Sequence, residues 1–313
     1  MSIRYEYIKQ NVVINSLIRF GPFSFSGDEF PNNAEGEKLR GDLIIARGAL
    51  TVVVSRVDKL IEGNKHAGLK TSTYKLLDAL LLWFTKHNNA CEVLLPLRDY
   101  MELCGVSDVQ EARRKVNNDL MVMSALSLTY RDTTKKRSKA YDSLRIVESA
   151  EIKSGILRVK FTEDFEKMLC KSYLMPYPVE LFTIKTDKYP NAPYMVRRIA
   201  EHKNMNYGKL KENKISVKTL FLSSPVLPTV KEVRMSSNPT IAKRIMRRDL
   251  SKSCEVLGIG YCFTYKDYEE SVLSETEVCR LRYEIFISDV YVKFQLLWPD
   301  YPVRKQKEKQ SSR

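Results

Sequence analysis

From Thr71 to Thr162 the hydrophobic pattern switches between helical and strand periods in an order that few folds accept. "TSTYKLLDALLLWFTKHN" carries apolar residues at helical spacing, with Ser72 or Thr73 placed to cap its first turn. "CEVLLPL" is short and β-prone and reads as a strand, and "RDYMELCGV" reads as a short helix closed by Gly105. In "SDVQEARRKVNNDLMVMSAL", Ser107 and Gln110 form a capping-box pair, while Val109, Ala112, Val116 and Leu120 line one face. "LSLTY" and "SLRIVESAEI" are predicted strands around the basic loop "RDTTKKRSKA", and "GILRVKFT" is a third, after which Thr162 caps "EDFEKML". Helix, strand, helix, helix and hairpin is the order of a winged helix, a variant of the helix-turn-helix.

The second half gives a similar order. "APYMVRRIAEHKN" is a predicted helix with Pro193 near its start, and Ser216 leads "KISVKTLFLS" from a strand into a helix. A Pro/Ser-rich link, "SSPVLPTVKEVRMSSNP", then reaches a strongly basic helix, and "YCFTYKD" and "CRLRYEIFISDVYVKFQLL" supply strands. The basic helix has Asn238 as its expected N-cap, Pro239 at its first position, and Gly258 or Gly260 to end it. At about 100° per residue, Ala242, Ile245, Met246, Leu250 and Leu257 share one side, and Asp249 interrupts that apolar arc. Lys243, Arg244, Arg247, Arg248 and Lys252 occupy the other side, with Arg247 near its centre. A helix presented to a major groove and followed by a supporting hairpin needs this layout, although a solvated basic face would share the pattern.

In the first unit the loop 131–139 concentrates charge, so Lys135, Lys136, Arg137 and Lys139 are candidate phosphate contacts on its wing. Arg113, Arg114 and Lys115 on the preceding helix are further candidates, but three consecutive residues fan over a wide arc. The second wing, "YEESVLSETE", is acidic and should stand clear of phosphates.

With 52 Lys+Arg against 38 Asp+Glu the chain carries +14, which favours an anionic partner, and double-stranded DNA suits the helices just described. The reading is α+β: two tandem winged-helix domains (42–175 and 176–300), an irregular N-terminal extension (1–41), and a short, disordered basic C-terminal tail (301–313). The longest apolar run, "LLDALLLWF", is too short to span a bilayer, and the amino terminus lacks the apolar core of a signal peptide, so a cytoplasmic protein is expected.

Enzyme chemistry finds no foothold. There is no phosphate-binding G-x-x-x-x-G-K-[ST] loop, no H-E-x-x-H helix and no G-x-S-x-G elbow. His66, His87 and His202 are far apart, and the six cysteines form no C-x-x-C pair. No catalytic residue, metal or cofactor is therefore expected.

On these residues a family resemblance can be stated. "LRVKFTEDFEKML" followed by "YPVELFTIKTDKYPNAPYMVRRIAEHKN" resembles the junction between the two winged helices of iteron-plasmid Rep initiators, the Rep_3-type superfamily. "KLLDALLLWFTKHN" with "VLLPLRDYMELCGVSDVQEARRKVNNDL" is similar to the first unit of initiators on Gram-positive mobile elements. The resemblance implies a non-enzymatic initiator that binds origin repeats, recruits host initiator and helicase proteins, and forms a homodimer through its first unit. It also implies that Lys243, Arg244, Arg247 and Arg248 lie on the reading helix. A tandem winged-helix transcription or copy-number regulator is the alternative, and a protein-binding winged-helix scaffold is a third.

Overall fold

The computed structural model describes residues 3–25, 35–39, 41–63, 67–87, 92–131, 140–236, 238, 240–266 and 271–294. The basic tail 301–313 and the loop positions Lys135, Lys136, Arg137 and Lys139 lie outside the described residues.

The amino-terminal segment corrects its sequence reading. Its Gly, Pro, Ser and Asn content suggests irregular chain, yet residues 5–24 form β1 (Tyr5–Gln10), α1 (Val12–Phe20) and β2 (Phe23–Ser24). Asn11 makes the helix possible, because its side-chain oxygen accepts from the Val13 and Ile14 N–H groups at 2.9 and 3.0 Å. Gly21 ends it at φ 81°, a conformation open to glycine. β3 (Glu35–Leu39), β4 (Asp42–Arg47) and β5 (Leu50–Val54) then form an antiparallel meander, followed by α2 (Val57–Gly63) and β6 (Gly68–Leu69), which pairs with β2.

The first unit follows: α3 (Thr71–Lys86), β7 (Glu92–Pro96), α4 (Leu97–Cys104), α5 (Val109–Ala125), β8 (Leu126–Tyr130), β9 (Tyr141–Arg145), β10 (Val147–Lys153), β11 (Ile156–Phe161) and α6 (Glu163–Cys170). The expected helix, strand, helix, helix order is present, with different caps. Lys70 precedes α3 and its N–H donates to Thr73 Oγ1 at 3.2 Å, while α5 is capped by Asp108 and not by Ser107.

The larger correction concerns the wing. β9 and β10 are not one strand, because Ile146 and Val147 are both fully buried and the chain changes sheets between them. β8 and β9 flank the basic loop but extend the meander into a five-stranded sheet ordered β3-β4-β5-β8-β9. The hairpin beside the helices is β10–β11, in a sheet ordered β10-β11-β7. Its turn at Ser154 (φ 51°) and Gly155 (φ 74°) has the two positive φ values that match strand twist in a two-residue hairpin.

β12 (Tyr173–Pro178) leads away from α6 and pairs antiparallel with β1. The next elements are α7 (Ala192–Asn206), β13 (Lys214–Ser216), α8 (Val217–Leu222), α9 (Val230–Met235), α10 (Ile241–Val256), β14 (Tyr261–Tyr265), β15 (Val272–Leu273), α11 (Glu275–Arg280), α12 (Tyr283–Asp289) and β16 (Val290–Phe294). Ser216 caps α8 as expected, accepting from Thr219 N–H at 3.1 Å. Two stretches differ from their sequence reading. The Pro/Ser-rich link holds α9, and the run expected to be strand from Cys279 to Asp289 is helical, with β16 alone surviving. β16 lies between β13 and β14 in a four-stranded sheet ordered β13-β16-β14-β15.

The buried side chains form one contiguous core from Ile8 to Phe294. Two of the three expected boundaries fall within paired structure, 41/42 at the β3–β4 turn and 175/176 inside β12, and the third, 300/301, lies outside the described residues. α7 also belongs to both halves. Its Arg197 donates to Asp78 Oδ1 of α3 at 2.5 Å, Tyr177 OH of β12 donates to Asp78 Oδ2 at 2.5 Å, and Tyr194 packs edge-on against Tyr74. One turn further along the same side, Glu201 accepts from Arg19 at 2.6 Å and from Asn15 of α1 at 2.7 Å. Burial alone would raise the Glu201 pKa, but the Arg19 and Arg198 guanidiniums outweigh it and hold the carboxyl below its ordinary range. Among the described residues no helix is long and apolar enough to cross a membrane.

Candidate nucleic-acid interface

The basic helix α10 begins at Ile241, about one turn after the expected Asn238 cap. Asn238 still shapes the entry, since its carbonyl accepts from Ile241 N–H at 3.2 Å and its side-chain oxygen from Thr240 Oγ1 at 2.8 Å. The far end is as expected. Gly258, at φ 62°, donates to Glu255 O, and Ile259 donates to Cys254 O, the paired bonds of a Schellman motif.

Ala242, Met246, Leu250 and Leu257 are buried and Ile245 is partly buried, so the apolar arc seats the helix. Asp249, an apparent interruption of that arc, has a structural reason. Its carboxylate is fully buried and accepts from both the backbone N–H and the side-chain Nδ2 of Asn191 at 3.0 Å. Asn191 is the residue at which α7 starts, so Asp249 satisfies an amide there and places negative charge at the positive end of that helix.

The five cations do not form one exposed arc. Lys243 is 4% exposed, and its Nζ donates to the carbonyls of Cys279 at 2.8 Å and Leu281 at 2.6 Å, which end α11. It is therefore a cap for α11, correcting its expected place on the DNA-facing side, and burial lowers its pKa. Arg247 is only partly exposed. One of its terminal nitrogens meets Glu275 Oε1 at 3.1 Å and the other Cys279 Sγ at 2.9 Å, so the centre of the basic arc lies under α11. Arg248 is exposed, chelates its neighbour Asp249 at 2.8 Å and lies 5.7 Å from the Tyr189 ring centre. Lys252 sits 5.9 Å from the same ring and pairs with Glu255 at 2.6 Å. Arg244 is exposed and has no ion pair among the described residues. What α10 presents to solvent is thus Arg244 and Arg248, flanked by Arg247 and Lys252.

Of the acidic second wing, residues 268–270 lie outside the described residues and 271–277 within them. Glu275 and Glu277 stand in the first turn of α11, where Glu277 closes a capping box with Ser274. One acidic residue of that segment therefore neutralises a basic residue of α10, which sequence order alone did not indicate.

In the first unit, Arg113, Arg114 and Lys115 on α5 are all exposed. Lys115 turns aside to Glu111 at 2.6 Å, as the wide arc implied. Gln110, Arg114, Asn117, Met121 and Ser124 recur at helical spacing and form one solvent-facing stripe, with Arg113 beside it. Arg131, at the base of the basic loop, is paired with Asp142 at 2.8 Å. Among the described residues no cluster of His, Cys, Asp and Glu is placed to hold a metal ion.

Residues 53–175, from β5 through the first unit into β12, match the family model described as initiator replication protein, WH1. Two crystal structures of domains 2 and 3 of RctB are similar to the chain at 11% identity. One covers 91% of this chain and 100% of its own, with a TM-score of 0.44, and the other covers 90% and 96%, with a TM-score of 0.41. No curated protein matches the chain.

Proposed function

We propose, on the premise that residues 53–175 carry the WH1 domain of the replication-initiator family, that the chain as a whole is a sequence-specific double-stranded DNA-binding initiator of a plasmid or mobile element. It acts in the cytoplasm, binds repeats at an origin and recruits host initiator and helicase proteins. The role is one of binding, with no catalytic step and no metal or nucleotide requirement. The second unit is read as another winged helix, with α10 as the helix that enters the major groove.

The observation that carries this reading is the position of α10. It follows α7, β13 and α8 after the short intervening α9, and it presents Arg244 and Arg248 to solvent on the side away from its buried seat. Arginine pairs bidentately with guanine in a major groove or with phosphate, and helix α10 can offer both kinds of contact along one face.

Replacing Arg244, Arg247 and Arg248 together with alanine tests it. Removing one phosphate contact flattens the plot of log affinity against log salt by about 0.9, and removing one bidentate guanine pairing takes away about 1–3 kcal/mol of discrimination. A fall in both slope and site preference is expected. Equal binding by parent and variant at every salt concentration would leave α10 as a solvated surface. Direct repeats of about 18–22 bp, two helical turns, flanking the gene are the expected target, and binding should survive EDTA.

A further inference from the structure

A second basic site lies in the first unit, away from α10. The turn between β5 and α2, the carboxyl end of α5 and the paired strands β8 and β9 enclose a cleft of about 590 Å³. Its cations are Arg56, Lys59 and Arg145, and Ser55, Ser124 and Ser127 supply hydroxyls between them. Among the described residues no carboxylate lines it, and none of the three cations has an ion-pair partner. All three are exposed.

Some exposed cations of the first unit are compensated, Arg131 by Asp142, Lys160 by Glu148 and Lys167 by Glu163, while Arg113 and Arg114 on α5 are, like the cleft's three, without an ion pair among the described residues. What distinguishes the cleft is that three cations line one cavity without an ion pair, an arrangement that like-charge repulsion opposes and a bound anion would relieve. Two features hold it in place. Arg56 has φ 58°, a left-handed conformation costly for any residue with a side chain, and its N–H donates to Asp42 Oδ1 at 3.1 Å. Arg145 is the cross-strand partner of Ser127, so its position is set by the β8–β9 register.

Met121 and Ser124 belong both to this cleft and to the exposed stripe of α5. From Gln110 to Ser124 that stripe is about 21 Å long at the rise of an α-helix, and it runs directly into the three cations. We propose that the cleft formed by Arg56, Lys59 and Arg145 is a phosphate-binding site that takes the backbone of the nucleic acid lying along α5. Three hydroxyls and three cations suit the oxygens of a phosphodiester, and a chelating metal is not needed. This rests on the DNA-binding reading above and adds the first unit's own backbone contact to it. A free nucleotide presents the same phosphate chemistry, and experiment separates the two sources.

The test compares the parent with a triple variant, Arg56→Asn, Lys59→Ala and Arg145→Thr, chosen because asparagine tolerates the left-handed position and threonine suits a strand. Duplex DNA binding is measured by fluorescence anisotropy over a series of KCl concentrations, and ATP binding by calorimetry. Lys167→Ala on α6 is the control that retains the parent slope. The expected result is a salt slope lower by about 2–3 in the triple variant, about 0.9 for each phosphate released, with an unchanged unfolding transition and no ATP binding by either chain. A parent that binds duplex DNA and a folded triple variant with the same slope would overturn the cleft alone. ATP binding that disappears in the triple variant while the slope stays would assign the phosphate to a free nucleotide and overturn the backbone assignment. A parent that binds no duplex at all would remove the initiator reading itself, and the backbone assignment with it.

Discussion

Asp78 on α3 and Arg197 on α7 form a buried ion pair that joins the two halves of the molecule, with Tyr177 of the connecting strand donating to the same carboxylate. The side chains are 5% and 7% exposed. The Asp78 carboxylate is tolerated this deep because Arg197 and Tyr177 replace the water it gave up. Removing one member, as in Arg197→Met, strands the other and is expected to cost about 3–5 kcal/mol, whereas Asp78→Leu with Arg197→Met together should cost much less. Urea unfolding of the four chains in a double-mutant cycle checks this. Additive effects would mean that the pair is not coupled.

Gly21 offers a separate test of how the amino-terminal segment is seated. A Cβ at this position would lie 2.2 Å from Pro225 Cβ, in the loop after α8, and φ 81° is unfavourable for any side chain. Backbone strain of about 1–3 kcal/mol and overpacking of about 1–3 kcal/mol should combine in Gly21→Ala. A melting temperature within about one degree of the parent, where 1 kcal/mol moves it by a few degrees, would show that α1 does not dock on the second unit.

Asp119 sets a pH dependence. Burial raises its pKa from 3.8 to about 6, partly offset by the Thr73 and Ser72 hydroxyls that donate to it. Between those values the folded chain binds more protons than the unfolded one, so stability falls as pH rises through the window, by up to about 3 kcal/mol. Asp119→Asn keeps an acceptor for Thr73 and removes the ionisation, so it should flatten that fall and equal or exceed the parent above pH 6. The acid limb should remain, because the lowered pKa of Glu201 gives stability that disappears as pH drops below its usual 4.5. An Asn variant with the parent's slope between pH 4 and 6 would refute the assignment.

Glu275 is expected to restrain DNA binding. It occupies Arg247 at 3.1 Å from an otherwise exposed position, so Glu275→Gln should release that guanidinium for an anion. Affinity for duplex DNA should rise several-fold and the salt slope should steepen by about 0.9, one phosphate contact. Weaker binding would show that the pair orients Arg247 instead of masking it.

Much of this architecture is legible from local pattern. The helices α3, α5, α7 and α10 announce themselves through long apolar arcs, and Gly105, Gly258, Thr162 and Ser216 mark ends that the structure retains. Two capping boxes, Thr229 with Glu232 and Ser274 with Glu277, are local signals too, and they open helices in stretches read from sequence as a link and as the acidic second wing. Other features have no local signal. Which hairpin serves as the wing depends on β7 pairing with β11 and not β9, a choice made by contacts far apart in sequence. Lys243 and Arg244 are neighbours in sequence and equally basic, and only the placement of α11 buries one and leaves the other exposed.

The embedding of α7 between α1, α3 and β12 reaches beyond the protein to the sequence it would occupy. With no flexible linker between the halves, α5 and α10 are held at one spacing and one relative rotation, as the marks on a ruler are. DNA touched by both must then present its two groups of phosphates and bases on matching faces. Five base pairs inserted between them, about half a helical turn, would carry one group to the far side of the duplex. A tethered pair of domains could follow that displacement, but a chain with a continuous core could grip only one of the two groups.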